Sequence, residues 1–166
     1  MLVIRVSILF IISPVILQAQ MVEGIAYNIM LKALLSHGVT EVSARQAYED
    51  TSLVFVDARA INEYRASHIR GAVWCGYDDF DLSRLSHVPK DRKIVVYCSV
   101  GYRSEKISEK LVKAGYTDVA NMYGGIFEWK NRNYPLVDDA GNATEKIHAY
   151  DRIWGVWLDK GEKVYD

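Results

Sequence analysis

Ile94-Val95-Val96-Tyr97-Cys98-Ser99-Val100-Gly101-Tyr102-Arg103-Ser104 is the stretch that decides the fold. Its first four residues are continuously apolar and mostly β-branched, the composition of a parallel strand buried on both faces. The strand runs straight into a cysteine, and a helix begins between Gly101 and Ser104. Ile107, Leu111 and Ala114 then recur at helical spacing, and Gly115 takes the C-terminal cap position. The result is strand, short loop, helix, with the cysteine at the turn.

The same alternation extends in both directions. Upstream, Leu53-Val54-Phe55-Val56 is a second buried strand, followed by a helix over residues 60–66, a loop closed by Gly71, a short strand over 72–74 and a short helix over 79–85. Glu41-Val42-Ser43 reads as a short extended segment whose serine caps a helix through about Tyr48. Downstream, residues 118–122 form a strand and, after Gly124-Gly125, residues 126–130 a helix. Strands alternating with helices give an α/β fold, a parallel central sheet with helices on both faces. Pro135 and the polar cluster at 138–142 end the compact unit. A tail over residues 139–166 carries Ile147, Tyr150, Trp154 and Trp157-Leu158, a stripe expected to pack back on the domain.

Residues 2–17 are almost wholly apolar, broken by Arg5, Ser7, Ser13 and Pro14, and lead into Gln18-Ala19-Gln20. A basic residue, an apolar stretch and a small residue at its exit describe a secretory signal over residues 1–19, cleaved after Ala19. The run is shorter than the ~20 apolar residues of a spanning helix, so a retained anchor is the weaker reading. A true start at Met21 is a third. The expectation is a periplasmic or secreted protein with no stable membrane insertion after cleavage. Residues 20–41 then form a helical extension, with Ile25, Ile29, Ala33 and Leu34-Leu35 as its packing stripe. The main domain covers residues 42–138.

Composition excludes more than it suggests. Half of the 166 residues are apolar, a quarter are charged, and the formal charge is -1, which points away from nucleic acid as a partner. Two cysteines are too few for a disulfide scaffold, and no cluster has zinc spacing, so no metal and no cofactor is expected.

Cys98 is the candidate catalytic residue. The loop Ser99, Val100, Gly101, Tyr102 and Arg103 can turn its N–H groups inward as an anion-binding cradle, and the helix behind it adds a positive dipole end. Both favour thiolate over thiol. Gly101 permits the tight turn, and Arg103 can place a guanidinium at the rim for an oxyanion such as thiosulfate. Cysteine phosphatases resemble Cys-x5-Arg, whereas four residues separate Cys98 from Arg103. The shorter loop suits a single sulfur atom better than a phosphoryl group. Cys75 reads as a small apolar side chain, in preference to a thiol that traps oxidised Cys98.

Several motifs taken together resemble the rhodanese-like domain family. They are Val56-Asp57-Ala58-Arg59, Glu63-Tyr64, His68-Ile69-Arg70-Gly71-Ala72, the Cys98 loop, Lys113-Ala114-Gly115-Tyr116, and Tyr123-Gly124-Gly125-Ile126 with Trp129. They lie in order across residues 42–138. The resemblance implies a sulfurtransferase. A Cys98 thiolate would take the outer sulfur of a small donor such as thiosulfate, then pass it as a persulfide to a thiol or cyanide acceptor. Asp57 and Arg59, which recur in the family, read as an ion pair bracing the strand ends; alternatively Arg59 faces the pocket and binds donor. The loop lacks the basic residue that follows the cysteine in many thiosulfate-using members, and the Gly-Ser/Thr-Gly-Val-Thr run of mercaptopyruvate-using ones, so the donor stays open. A phosphatase or arsenate-reductase-like enzyme on the same fold, and a non-catalytic binding module, are the rival readings.

Overall fold

The computed structural model describes residues 21–166; the expected signal segment lies outside the described residues. Five strands form one all-parallel sheet: β1 (Thr40–Ser43), β2 (Val54–Asp57), β3 (Val73–Trp74), β4 (Ile94–Tyr97) and β5 (Val119–Tyr123), in the order β1-β5-β4-β2-β3. β4 is central and buried along its whole length, which is why its sequence carries no polar alternation. Side chains of β4 still alternate between two cores. Val95 and Tyr97 join one, with α1 (Ile25–Leu34), α2 (Ala44–Glu49), α5 (Gly125–Asn131) and the tail. Ile94 and Val96 join the other, with Ile107 and Leu111 of α4 (Tyr102–Lys113) and with Leu85 and Val88. A further helix, α3 (Ile61–Ala66), follows β2. Helices therefore cover both faces, as expected.

Local signals explain the element ends. The Ser43 hydroxyl accepts from the Gln46 N–H, and the Gln46 side chain returns the bond to the Ser43 N–H, a reciprocal cap that starts α2. The short helix expected over 79–85 is a single 3-10 turn, Leu82–Leu85, because the Asp81 carboxylate caps the Ser83 N–H at 2.9 Å.

The N-terminal helix forms where expected but turns another face inward. Ile25 and Ile29 are 74% and 64% exposed, and Ala33 is exposed too, whereas Tyr27, Leu31 and Leu35 are buried. Both stripes have helical spacing, so periodicity alone could not choose. Tyr27 decides it: its hydroxyl donates to the Gly124 carbonyl at 2.8 Å and its ring stacks on Trp157, centroids 5.4 Å apart.

The C-terminal segment continues with β6 (Leu136–Val137) paired antiparallel to β7 (Ala143–Thr144), then a parallel pair of β8 (Lys146–His148) and β9 (Glu162–Val164). Ile147 and Leu158 are fully buried in the first core, with Trp154 and Trp157 packed against it. Tyr150 departs from the expected stripe: it is half exposed and faces the site described below.

Replacing Leu31, fully buried, by alanine should cost about 2–5 kcal/mol, while Ile29→Ala should stay within about 0.5 kcal/mol. Urea unfolding of the two variants checks which face of α1 docks.

Candidate active site

Parallel strands end on one side of the sheet, and clefts in such folds open there. Asp57 ends β2 and Cys98 follows β4 at that edge. Cys98 is 1% exposed and contributes to a cleft of about 700 Å³, also lined by Ser99, Val100, Tyr102, Arg103, Glu63 and C-terminal residues.

The loop is held from behind by α5. The Ile126 and Phe127 N–H groups donate to the carbonyls of Cys98 (2.8 Å) and Ser99 (3.1 Å). That approach requires Gly125: a Cβ there would sit 2.4 Å from the Cys98 oxygen and 2.5 Å from the Ser99 oxygen, and its φ is +55°. With those carbonyls drawn away, the Gly101 N–H donates to Cys98 Sγ at 3.1 Å. Gly101 has φ +122°, a backbone conformation that side chains disfavour. Its carbonyl accepts from Asn121 Nδ2 (3.0 Å), and Ser104 Oγ donates to Asn121 Oδ1 (2.7 Å), tying the start of α4 to β5. Val100 is buried in the first core and pins the loop's middle.

Arg103 lies on the cleft wall, but its guanidinium is committed. Nη1 and Nη2 donate to the two Glu63 oxygens at 2.6 and 2.8 Å, and Nη2 also to Ser99 Oγ at 3.0 Å. Its guanidinium carbon sits 4.9 Å from the Tyr150 ring centroid. The expected free guanidinium for a donor oxyanion is therefore a brace that holds α3 against the loop. Burial alone would raise the Glu63 carboxyl pKa, but hydrogen bonds from Arg103 and its charge, helped by Arg59, hold it at about 2 against an ordinary 4.5. Burial alone would lower the Arg103 pKa, but the Glu63 hydrogen bond and the nearby Cys98 sulfur raise it.

Arg59 corrects one expected contact. It is fully buried and lies outside the cleft lining. Its Nε donates to Asp57 Oδ1 at 3.0 Å, and Nη2 to Asp57 Oδ2 at 2.6 Å and to the Ser67 carbonyl at 2.7 Å. The ion-pair alternative describes it, and donor binding does not. Cys75 is fully buried, its thiol 3.4 Å from the Gly76 carbonyl, and burial pushes its pKa well up, which suits an inert packing residue. His68 Nδ1 contacts the Tyr64 carbonyl, and its ring stacks on Tyr64.

The sequence reading missed the far wall. His148, Tyr150, Asp151, Trp154 and Asp166 of the C-terminal segment line the cleft, facing Tyr77 and Asp78 from the loop after β3. Glu63 and Gly125 were visible only as members of a motif. No local pattern marks the C-terminal residues, which are brought in by the burial of Ile147 and Leu158. Among the described residues no His, Cys, Asp and Glu group could hold a metal ion.

Glu63 supplies a pH test. A carboxyl held at about 2 stabilises the fold fully above its unfolded value of 4.5 and loses that contribution as pH falls toward 2. The loss should reach about 3 kcal/mol, read as a falling urea midpoint, and Glu63→Gln should flatten that part of the profile. Gly125→Ala should cost at least about 2 kcal/mol and slow Cys98 alkylation or speed it, since the loop must shift; an unchanged rate and midpoint would contradict the contact.

A family model described as a rhodanese-like domain matches residues 40–132. The tRNA uridine(34) hydroxylase of Staphylococcus aureus (strain Newman) is 40% identical over 93 residues, 53% of this chain and 29% of that protein. The chain thus spans under a third of that relative's length. A rhodanese-like domain from Anabaena sp. superposes with a TM-score of 0.51 at 26% identity, covering 57% of this chain and 72% of the other. A thiosulfate sulfurtransferase from Pseudomonas aeruginosa gives a TM-score of 0.54 at 24% identity, covering 63% and 21%, and shares the fold. With the family match spanning more than half of its length, the chain belongs to the rhodanese-like domain family.

Proposed function

We propose that the chain is a sulfurtransferase that carries a sulfane sulfur on Cys98. The observation that carries this reading is the Gly101 N–H donating to Cys98 Sγ at 3.1 Å at the buried end of a cleft. Cys98 lines the cleft, so a small sulfur donor that enters it meets the sulfur. The thiolate attacks the outer sulfur of thiosulfate; the Sγ–S bond forms, the S–S bond of the donor breaks, and sulfite leaves with the electron pair. Charge is conserved, and the product is an anionic Cys98 persulfide beside the Gly101 N–H. A thiol or cyanide acceptor then removes the sulfur and regenerates the thiolate. The residues Ser99, Val100, Gly101 and Tyr102 shape the pocket, and Arg103 positions the loop through Glu63.

Phosphatase chemistry fits less well, since it asks for a guanidinium free to grip a phosphoryl group, and both terminal nitrogens of Arg103 are bound to Glu63. We also infer export from the apolar run at residues 2–17; protein recovered from a native host should then begin at Gln20.

Intact mass measurement after thiosulfate or polysulfide should show a gain of one sulfur atom, removed by cyanide and absent in Cys98→Ser. A Cys98 that alkylates yet takes sulfur from neither donor would sink the reading.

A further inference from the structure

The cleft above Cys98 is lined by carboxylates and aromatic rings. Its lining includes four carboxylates, Glu63, Asp78, Asp151 and Asp166, and one guanidinium, Arg103, already paired to Glu63. His148 Nδ1 accepts from the Tyr150 N–H at 3.1 Å, and its Nε2 lies 3.2 Å from Asp166 Oδ1. Asp78 is exposed and has no ion-pair partner among the described residues. Tyr77, Tyr102, Tyr150 and Trp154 supply aromatic surface between these charges. A volume of about 700 Å³ is far more than cyanide needs and suits an organic molecule.

Carboxylates beside aromatic rings attract organic cations and repel anions. We propose that the sulfur acceptor is a small organic thiol bearing an ammonium group, which the Asp78 carboxylate and the rings of Tyr102, Tyr150 and Trp154 hold over Cys98 in the negative field of Asp151 and Asp166, whose Oδ1 atoms already accept from the Ile153 and Trp154 N–H groups and from Asn62 and His148. The inference rests on the sulfurtransferase reading and adds the acceptor's chemical class. The acceptor thiolate attacks the outer sulfur of the Cys98 persulfide. A bond forms between the two attacking and attacked sulfurs, the bond to Sγ breaks, and its electron pair stays on Cys98 as the thiolate. The acceptor leaves as its own persulfide, with no external oxidant or reductant required. Asp78, Tyr150 and Trp154 are specificity residues in this scheme: they contact the acceptor's ammonium group and take no part in bond making.

The test loads the full chain with inorganic polysulfide, removes the excess, and follows loss of the Cys98 persulfide by mass spectrometry with three acceptors of similar size. These are cysteamine, 2-mercaptoethanol and mercaptoacetate, compared per thiolate present. One favourable charge contact predicts that cysteamine exceeds 2-mercaptoethanol by about tenfold, with mercaptoacetate slower again. High salt should compress the series, and Asp78→Lys should narrow the cysteamine-to-mercaptoacetate ratio by about tenfold or more. Equal rates, or mercaptoacetate fastest, would overturn the proposal while leaving the persulfide chemistry intact. So would a cysteamine preference unmoved by both salt and Asp78→Lys, since the cleft charges would then not be its cause. If polysulfide leaves no sulfur on Cys98, the sulfurtransferase reading itself fails and takes the acceptor assignment with it.

Discussion

The contact on which the site depends is between two stretches of backbone. Gly125 passes so close to the Cys98 and Ser99 carbonyls that no side chain fits between them, and the next two amides of α5 bond those carbonyls. A loop leaving a parallel strand would otherwise offer its carbonyls and amides to either side. Fixing the carbonyls toward α5 leaves the Gly101 amide free to turn toward sulfur. Gly101 completes the geometry with a positive φ, and α4 begins at once behind it. Two glycines separated by more than twenty residues therefore set the hydrogen bonding of one sulfur atom.

Charge around that loop is organised by two arginines, and neither is spare. Arg59 and Asp57 form a fully buried pair at the end of β2. Such a pair gains little net energy over an apolar one, but breaking it leaves a buried charge and costs several kcal/mol. Arg103 joins Glu63 of α3 to Ser99 of the loop. Each guanidinium ties the end of one element to its neighbour, so the strand ends keep their spacing. The consequence for chemistry is that the cleft's positive charge is consumed internally, and the remaining carboxylates set its outer potential.

Much of the fold was legible because its signals are local. The apolar run at 94–97, the helical spacing of Ile107 and Leu111, and Ser43 as a helix cap each fix an element without reference to the rest. Cys98 and its loop were legible for the same reason. The errors arose where two answers satisfy the same local pattern. Helix α1 has two apolar stripes, and the choice of Tyr27 over Ile25 depends on Gly124 and Trp157, both far away in sequence. An arginine near a reactive cysteine can bind substrate or a carboxylate, and only the position of Glu63 separates the two for Arg103. The C-terminal wall was invisible, since Tyr150, Asp151 and Trp154 carry no motif and reach the cleft by way of distant packing.

Helix α5 connects these two kinds of feature. Its first turn grips the loop through the Ile126 and Phe127 amides. Its last turn grips the C-terminal segment: Asn131 Nδ2 donates to the Trp157 carbonyl at 2.9 Å, Asn131 Oδ1 accepts from the Asp159 N–H at 2.7 Å, and Lys130 pairs with Glu145 at 2.6 Å. One rigid seven-residue helix thus sets both the sulfur's environment and the wall above it. The loop contacts are backbone to backbone and tolerate little change at Gly125. The wall is made of side chains on a segment anchored at Ile147 and Leu158, so its charge and aromatic content can vary without moving the anchors. In the proposed sulfurtransferase, that division would leave the chemistry at Cys98 fixed while residues beyond the five-stranded sheet set the choice of partner molecule.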